Sequence, residues 1–382
     1  MRHHRQRGSM MVLAAGIILM LTSFGVLGLD IGRIMIVRNE LQNVADAAAL
    51  AGANCLPRVS AAGSAVDCSP TVTATLNWAR ASAKAQDTLS RNSAANTAIS
   101  TSDGGHQIEV GYFNLQTHLP SGGAFSTTFT PGPFDKPAVR VTVRKDAGMN
   151  NGPVVMLTRL IFGQTTDVPM QAQSVAVISS PSTVAPGGGL LPLAINKCMF
   201  DLYWDLTTNQ PKLATAATLS YTDGSGKTQT IPQTIGQPWE IRIGSSYHYG
   251  TCDAGQWTSF DLDTNDVPTL RGFINNGVPD PLSIGQNTWI EPGTKSTIYD
   301  AIAAKYPPGP GPASDVTVVV VNSPDLSSLG ATPIVAYAGF HIDVIDKSSK
   351  YIQGHFIPAT VTSGSSGVGP FYGTYTPSRL GL

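Results

Sequence analysis

Two groups of residues have the types and spacing for chemistry. Asp261, Asp263, Asn265 and Asp266 form the string DLDTND, and oxygen donors at alternate positions suit Ca²⁺. An EF-hand loop counted from Asp261 needs Gly at its sixth position and Glu at its twelfth, but Asp266 and Gly272 stand there. The expectation is a solvated acidic turn. His341 and Asp343 alternate on one side of a strand pattern, with Phe340, Ile342 and Val344 on the other, and His355 lies on the next strand-like run. A metal or acid–base pair is one use of such residues. The polar outer face of a half-buried strand is the more ordinary one and is expected here.

Other chemistry is sparse. The chain has no GxSxG, HExxH or Walker-type phosphate loop. Gly187 to Gly189 is followed by no Lys-bearing helix, so it reads as a hinge, not a phosphate cradle. No catalytic residue, metal ligand or cofactor is assigned, and the chain is read as a non-enzyme. Tyr203, Trp204, Tyr247, Tyr249 and Trp257 are aromatics that a sugar site would use, which keeps a membrane-tethered adhesin or glycan-binding protein as the alternative function. Core packing is their commoner role. A net charge of -1 over 382 residues gives no electrostatic ground for a nucleic-acid partner.

The four cysteines, Cys55, Cys68, Cys198 and Cys252, are an even set that suits disulfides in an oxidising compartment. Order along the chain favours Cys55–Cys68 and Cys198–Cys252, although three pairings are open. No CxxC or His-rich spacing marks a structural zinc site.

The elements that hold these residues begin with residues 10–29, MMVLAAGIILMLTSFGVLGL, which carry no charge. Twenty helical residues match a hydrocarbon core of about 30 Å. Arg2, Arg5 and Arg7 precede the run and Asp30 follows it. The positive-inside rule places residues 1–9 in the cytoplasm as a short tail, and the rest outside the inner membrane, in the periplasm. A signal peptide cut near Gly25 and a prepilin-like leader cut after Gly8 are weaker readings. The apolar run continues past Gly25, and Leu13 stands where such leaders carry Glu.

Beyond the span, Ile34, Val37, Leu41, Val44, Ala48 and Ala51 follow a 3-4-3-4-3 spacing and form one helical stripe. The membrane helix is therefore expected to run on into a helical stem, residues 30–100, broken once near Cys55 to Pro70. The alanines allow close approach of another helix, and Gly28 and Gly32 make a GxxxG spacing. The stripe packs either on the protein's own second helix, around residues 72–89, or on a partner's helix.

From residue 101 the pattern changes to an α+β region reaching residue 179. Gln107 to Tyr112 and Ala138 to Val143 alternate as strands. Pro153 to Gly163 reads as a short apolar helix and Val168 to Ile178 as a long strand. Ser180 to Gly189 reads as a linker. Residues 190–382 read as a β-rich domain with strands at Lys227–Ile231, Trp239–Ile243, Val316–Val321, Ile334–Ile345 and Tyr351–Pro358. The fold class is α+β: an N-terminal transmembrane helix continuing into a helical stem, then a β-rich exported region.

The span ends in Leu29-Asp30-Ile31-Gly32-Arg33 and is followed by Leu41-Gln42-Asn43-Val44-Ala45-Asp46-Ala47-Ala48-Ala49-Leu50-Ala51. This resembles the N-terminal module of the TadE/TadG-like proteins of Flp (tight adherence) pilus assembly, over residues 8–53. Val110-Gly111-Tyr112, Val139 to Val143, Leu160 to Gly163 and Ala172 to Val177 are similar to the pieces that follow the anchor in TadG-like proteins. Gln256 to Phe260 and Ile284-Gly285 with Glu291-Pro292-Gly293 resemble that family's C-terminal part. The resemblance implies a membrane-anchored assembly or scaffold protein. Its partners would be the lipid bilayer and pilus-machinery proteins, TadE/TadF-like or secretion-channel components. Some of these proteins carry an adhesion domain whose metal site needs DxSxS. Asp325 to Leu329 ends in Leu, so that metal site is not inherited.

Overall fold

The computed structural model describes residues 6–381 except 65, 73–75, 133, 160–162, 164–166, 188, 207, 245–246, 265, 294, 359, 362 and 368–369. One helix, α1 (Gln6–Cys55), contains the apolar run and the stripe without interruption. Its 50 residues make a rod of about 75 Å. It is long and apolar enough to cross a membrane, and the most apolar 18 residues have no burial in the protein. Pro57 follows its end, and the chain turns there into a short antiparallel pair, Arg58–Ser60 with Cys68–Val72. A disulfide between Cys55 and Cys68 closes this turn.

The second helix is α2 (Trp78–Ser90), capped by Asn77, whose side chain accepts from the Arg80 N–H. Helix was expected to continue toward residue 100. Instead a tight hairpin, Ser93–Ala94 with Thr97–Ala98, follows. Ala95 and Asn96, the two loop residues, both take positive φ, which matches the twist of a two-residue hairpin.

Three long strands come next: β1 (His106–Asn114), β2 (Asp135–Lys145) and β3 (Met170–Val177). They pair antiparallel in the order β3-β2-β1. Val139, Val141 and Val143 alternate onto the face that meets α1 and α2. Gly111 on β1 lies under the returning 121–134 excursion; a Cβ there would sit 2.4 Å from the Ser126 nitrogen. The expected helix at Pro153 to Gly163 is different. Val154–Val155 is a strand paired with Asp167–Val168, a turn follows, and Arg159 starts helical geometry. Leu160 to Phe162 lie outside the described residues. The β-branched valines favour the strand.

The stretch expected as a linker carries a strand, Pro181–Val184, paired with Leu282–Ser283 and Gly364–Ser366. Beyond it are β4 (Leu190–Asn196), α3 (Lys197–Tyr203), β5 (Ile241–Gly244), β6 (Gly255–Phe260), α4 (Val267–Asn276), β7 (Asn287–Glu291), α5 (Ser296–Lys305), β8 (Asp315–Val321), β9 (Gly330–Asp346) and β10 (Tyr351–Phe356). Strand pairings run β9-β7-β6-β4-β8 and return to β9, closing a ring of five, with β10 and β5 extending from β9. The ring leaves few free edges. Three helices break the β-rich expectation. One has a local signal: Asp266 caps α4 with Pro268 in its first turn. Inside, Glu291 is fully buried and paired with Lys295 at 2.7 Å. A second disulfide joins Cys198 to Cys252 and ties α3 to the neighbouring strands.

The chain end returns to the first sheet. A final strand, β11 (Arg379–Leu380), pairs with the outer edge of β3. Tyr375 is buried among α1 and β2 residues, and the Ser378 hydroxyl donates to the Leu50 carbonyl.

Close approach of α1 is tightest at Gly52, where a Cβ would lie 2.8 Å from the Ala81 carbonyl oxygen and 3.1 Å from the Ala85 Cβ. Gly52→Val is expected to destabilise the protein by about 1–3 kcal/mol in denaturant unfolding. Gly32→Ala, with open space around it, is expected to change nothing beyond a small helix-propensity gain. A pH effect follows from Lys136, buried on β2 opposite Phe113. Burial pushes its amine down to about 8, against the pull of Asp135. The unfolded chain then holds more protons from about pH 8 to about 10.5, so this residue makes stability climb with pH across that window, by up to about 3 kcal/mol. Lys136→Met should flatten the climb in unfolding curves taken between about pH 8 and 10.

Candidate functional site

The resemblance rests on α1, and its two halves behave differently. From Met10 to Leu29 the large apolar side chains are exposed, apart from half-buried Val26. From Asp30 onward one side of the helix is core. Val37, Leu41, Val44 and Ala48 of the stripe are buried, and Ile34 and Ala51 are half-buried. Ala45, Ala49 and Ala53 widen the buried face. They pack on Ala81, Ala85 and Leu89 of α2, on Val139, Val141 and Val143 of β2, and on Ala172 and Ala176 of β3. The stripe is thus filled by the protein's own α2 and by its own sheet. The sheet contact was not legible, because β2 and β3 lie about a hundred residues away.

The motif string divides by position. Leu41, Ala45, Ala48 and Ala49 are the contact; small side chains let the helix axis come close to the strands. Gln42 donates to the Asp46 carboxylate at 2.8 Å and to the Gln173 carbonyl on β3 at 3.1 Å. Ala47 and Leu50 are half-buried. Two further residues of α1 make contacts that spacing did not reveal. The Glu40 carboxylate accepts from the Ala95 N–H at 2.7 Å, in the hairpin after α2. Asp30 is wholly buried and accepts from the Leu157 and Thr158 N–H groups at 2.7 and 2.8 Å. Burial opposes its charge, but those two donors and nearby Arg33 hold its carboxyl below the usual carboxylate range. The Arg33 guanidinium donates to the Val155 carbonyl at 3.3 Å. Asp30 and Arg33 thereby fasten the 153–159 segment to the helix one turn beyond the apolar run.

The other candidate chemistry falls elsewhere. Asp315, His341, Asp343 and His355 meet on one face of β8, β9 and β10. His341 Nδ1 is 2.6 Å from Asp315, His355 Nδ1 is 2.7 Å from Asp343, and the rings are 5.0 Å apart. Asp343 lies between the two rings, 2.7 Å from His355 Nδ1 and 3.7 Å from His341 Nε2, while Asp315 takes the other nitrogen of His341. Among the described residues no group of three or more His, Cys, Asp or Glu has a geometry to hold a metal ion. In the DLDTND string, Asp266 is the cap of α4, accepting from the Thr269 N–H at 2.8 Å; Asn265 lies outside the described residues. Asp325 accepts from Ser327 and Ser328, a local turn. Tyr203, Trp204, Tyr247, Tyr249 and Trp257 are buried in the core of the C-terminal region, where Tyr203 and Tyr249 meet edge-on at 5.8 Å. They present no ring face to a sugar. A cleft of about 530 Å³ opens where Trp78, Tyr112 and Ile178 face Leu206, Phe371 and Tyr375.

Two family models match the chain. One, named for TadE/G-like Flp pilus assembly, covers residues 8–54. The other, named for Tad-like Flp pilus assembly, covers residues 60–176. Their junction falls in the Cys55–Cys68 turn, and together they take in α1, α2 and the strands β1 to β3. Neither a curated protein nor a solved structure matches the chain. Residues 8–54 and 60–176 are thus two consecutive Flp pilus-assembly domains, the first TadE/G-like and the second Tad-like.

Proposed function

We propose that the protein is a single-pass, non-enzymatic assembly or scaffold component of a Flp pilus system. Residues 10–29 cross the cytoplasmic membrane with the N-terminal tail inside. The body from Asp30 stands in the periplasm and meets other pilus-machinery proteins, of TadE/TadF-like or secretion-channel kind. Within it a Tad body, about residues 30–179, carries the contact with the anchor, and residues 190–382 form a β-rich domain.

One observation carries this reading: the unburied apolar half of α1 and its buried half are one helix. A core helix of a soluble protein would be covered along its length. A signal peptide cut near Gly25 would sever the helix in its middle. The family match adds the pilus context. The two disulfides both lie beyond Asp30, as an oxidising compartment requires. The residues of the adhesin alternative are core residues, which disfavours it.

Deleting the gene is expected to abolish surface fibres; fibres that persist while attachment to a glycan or host surface is lost would overturn the assembly role. Replacing residues 10–29 by a cleavable secretion signal should release the body into the periplasm without restoring fibres. Protease added to spheroplasts should digest everything beyond Asp30, and a protected body would reverse the orientation. Non-reducing mass spectrometry should find Cys55 linked to Cys68 and Cys198 linked to Cys252; free thiols would remove the support from compartment.

A further inference from the structure

The apolar surface of α1 does not stop at Leu29. Ile31, Met35 and Ile36 remain 47, 62 and 58% exposed. At 100° per residue these three point away from the line of Asp30, Ile34, Val37 and Leu41 that meets the body. Seven residues past Leu29 add about 10 Å, which is more than the thickness of one headgroup layer. At the same height the other side of the helix carries the 153–159 segment. Asp30 holds it through two N–H groups and Arg33 holds it through the Val155 carbonyl. Val155 is 46% exposed and Arg159 is exposed. Apolar surface and guanidinium groups thus surround α1 where it leaves the span, and that surface is continuous with the exposed apolar run.

We propose that this collar is a second membrane contact, whose ligand is the phospholipid of the same bilayer's outer leaflet. Ile31 sits at the boundary between acyl chains and headgroups, and Met35, Ile36 and Val155 reach through the headgroup layer to its outer edge. Arg33 and Arg159 meet lipid phosphates, for which a guanidinium has a matching donor fork. Asp30 is the positioning residue: its buried carboxylate keeps Val155 at that depth, so the body rests on the bilayer instead of standing free on a stalk. The inference rests on the reading that residues 10–29 span the membrane.

The test uses the full chain in vesicles of phosphatidylethanolamine and phosphatidylglycerol that contain a nitroxide-labelled phospholipid. Single cysteines, Met35→Cys and Val155→Cys, carry an environment-sensitive dye. Leu21→Cys reports the span, and Ile235→Cys, at a residue 66% exposed in the C-terminal region, reports water. Dyes at 35 and 155 are expected to lose most of their emission, as the dye at 21 does, while the dye at 235 keeps it. Asp30→Asn is expected to restore emission at 155 alone. Emission at 155 as strong as at 235, with the dye at 21 still quenched, would overturn the collar and leave the anchor standing. An unquenched dye at 21 would overturn the anchor and the collar with it. If 35 and 155 are shielded from a water-soluble quencher but untouched by the lipid nitroxide, the collar is a protein interface and the lipid proposal fails.

Discussion

One unbroken helix imposes two solvents on a single element. The first half of α1, apolar and exposed, is suited to hydrocarbon, since its backbone bonds are all internal. The second half needs a partner close enough to exclude water. Between the two there is no proline and no loop, so both halves belong to one rod of about 75 Å of hydrogen-bonded backbone. The tolerance of this arrangement is set by side-chain size. Alanine at 45, 48, 49 and 53 and glycine at 52 bring the helix onto strands and onto α2 at distances that a larger residue would forbid.

That close contact also orders the remainder of the Tad body. The sheet formed by β1, β2 and β3 offers one valine-lined face to α1, and its outer edge on β3 receives the last strand of the chain, β11. Tyr375 and Ser378 reach α1 from the far end of the sequence. The chain end thus returns from the region after residue 190 to the sheet and helix of the first body. Covering an edge strand in this way removes a site at which another chain could pair.

Several of the residues that looked able to do chemistry have structural employment. Asp266 caps a helix, Asp325 organises a turn, and the aromatics fill the core around the five-stranded ring. The His341–His355 pair is arranged across adjacent strands with a carboxylate for each ring. Each of these outcomes follows from a near neighbour supplying the partner that a ligand would otherwise have supplied.

The apolar run at 10–29, the stripe beyond it and the alternating strands at 107–112, 138–143, 316–321 and 334–345 were legible because each is a local period, 3.6 or 2, written into consecutive residues. The order of the disulfides was open by spacing, and only proximity in the fold joins Cys198 to Cys252. The valines at 154 and 155 became a strand because Asp167–Val168 lies beside them. The burial of Asp30 under the 157–158 turn, the closure of β8 onto β9 and the return of β11 to β3 required contacts between residues far apart in sequence. The sequence by itself determined the apolar run, the helical stripe and the alternating strands, since those depend on neighbours along the chain, but not the hairpin after α2 or the helices α3 to α5. The tertiary structure alone decided what the stripe faces and which charges are satisfied, because those depend on which distant backbone arrives within hydrogen-bonding reach.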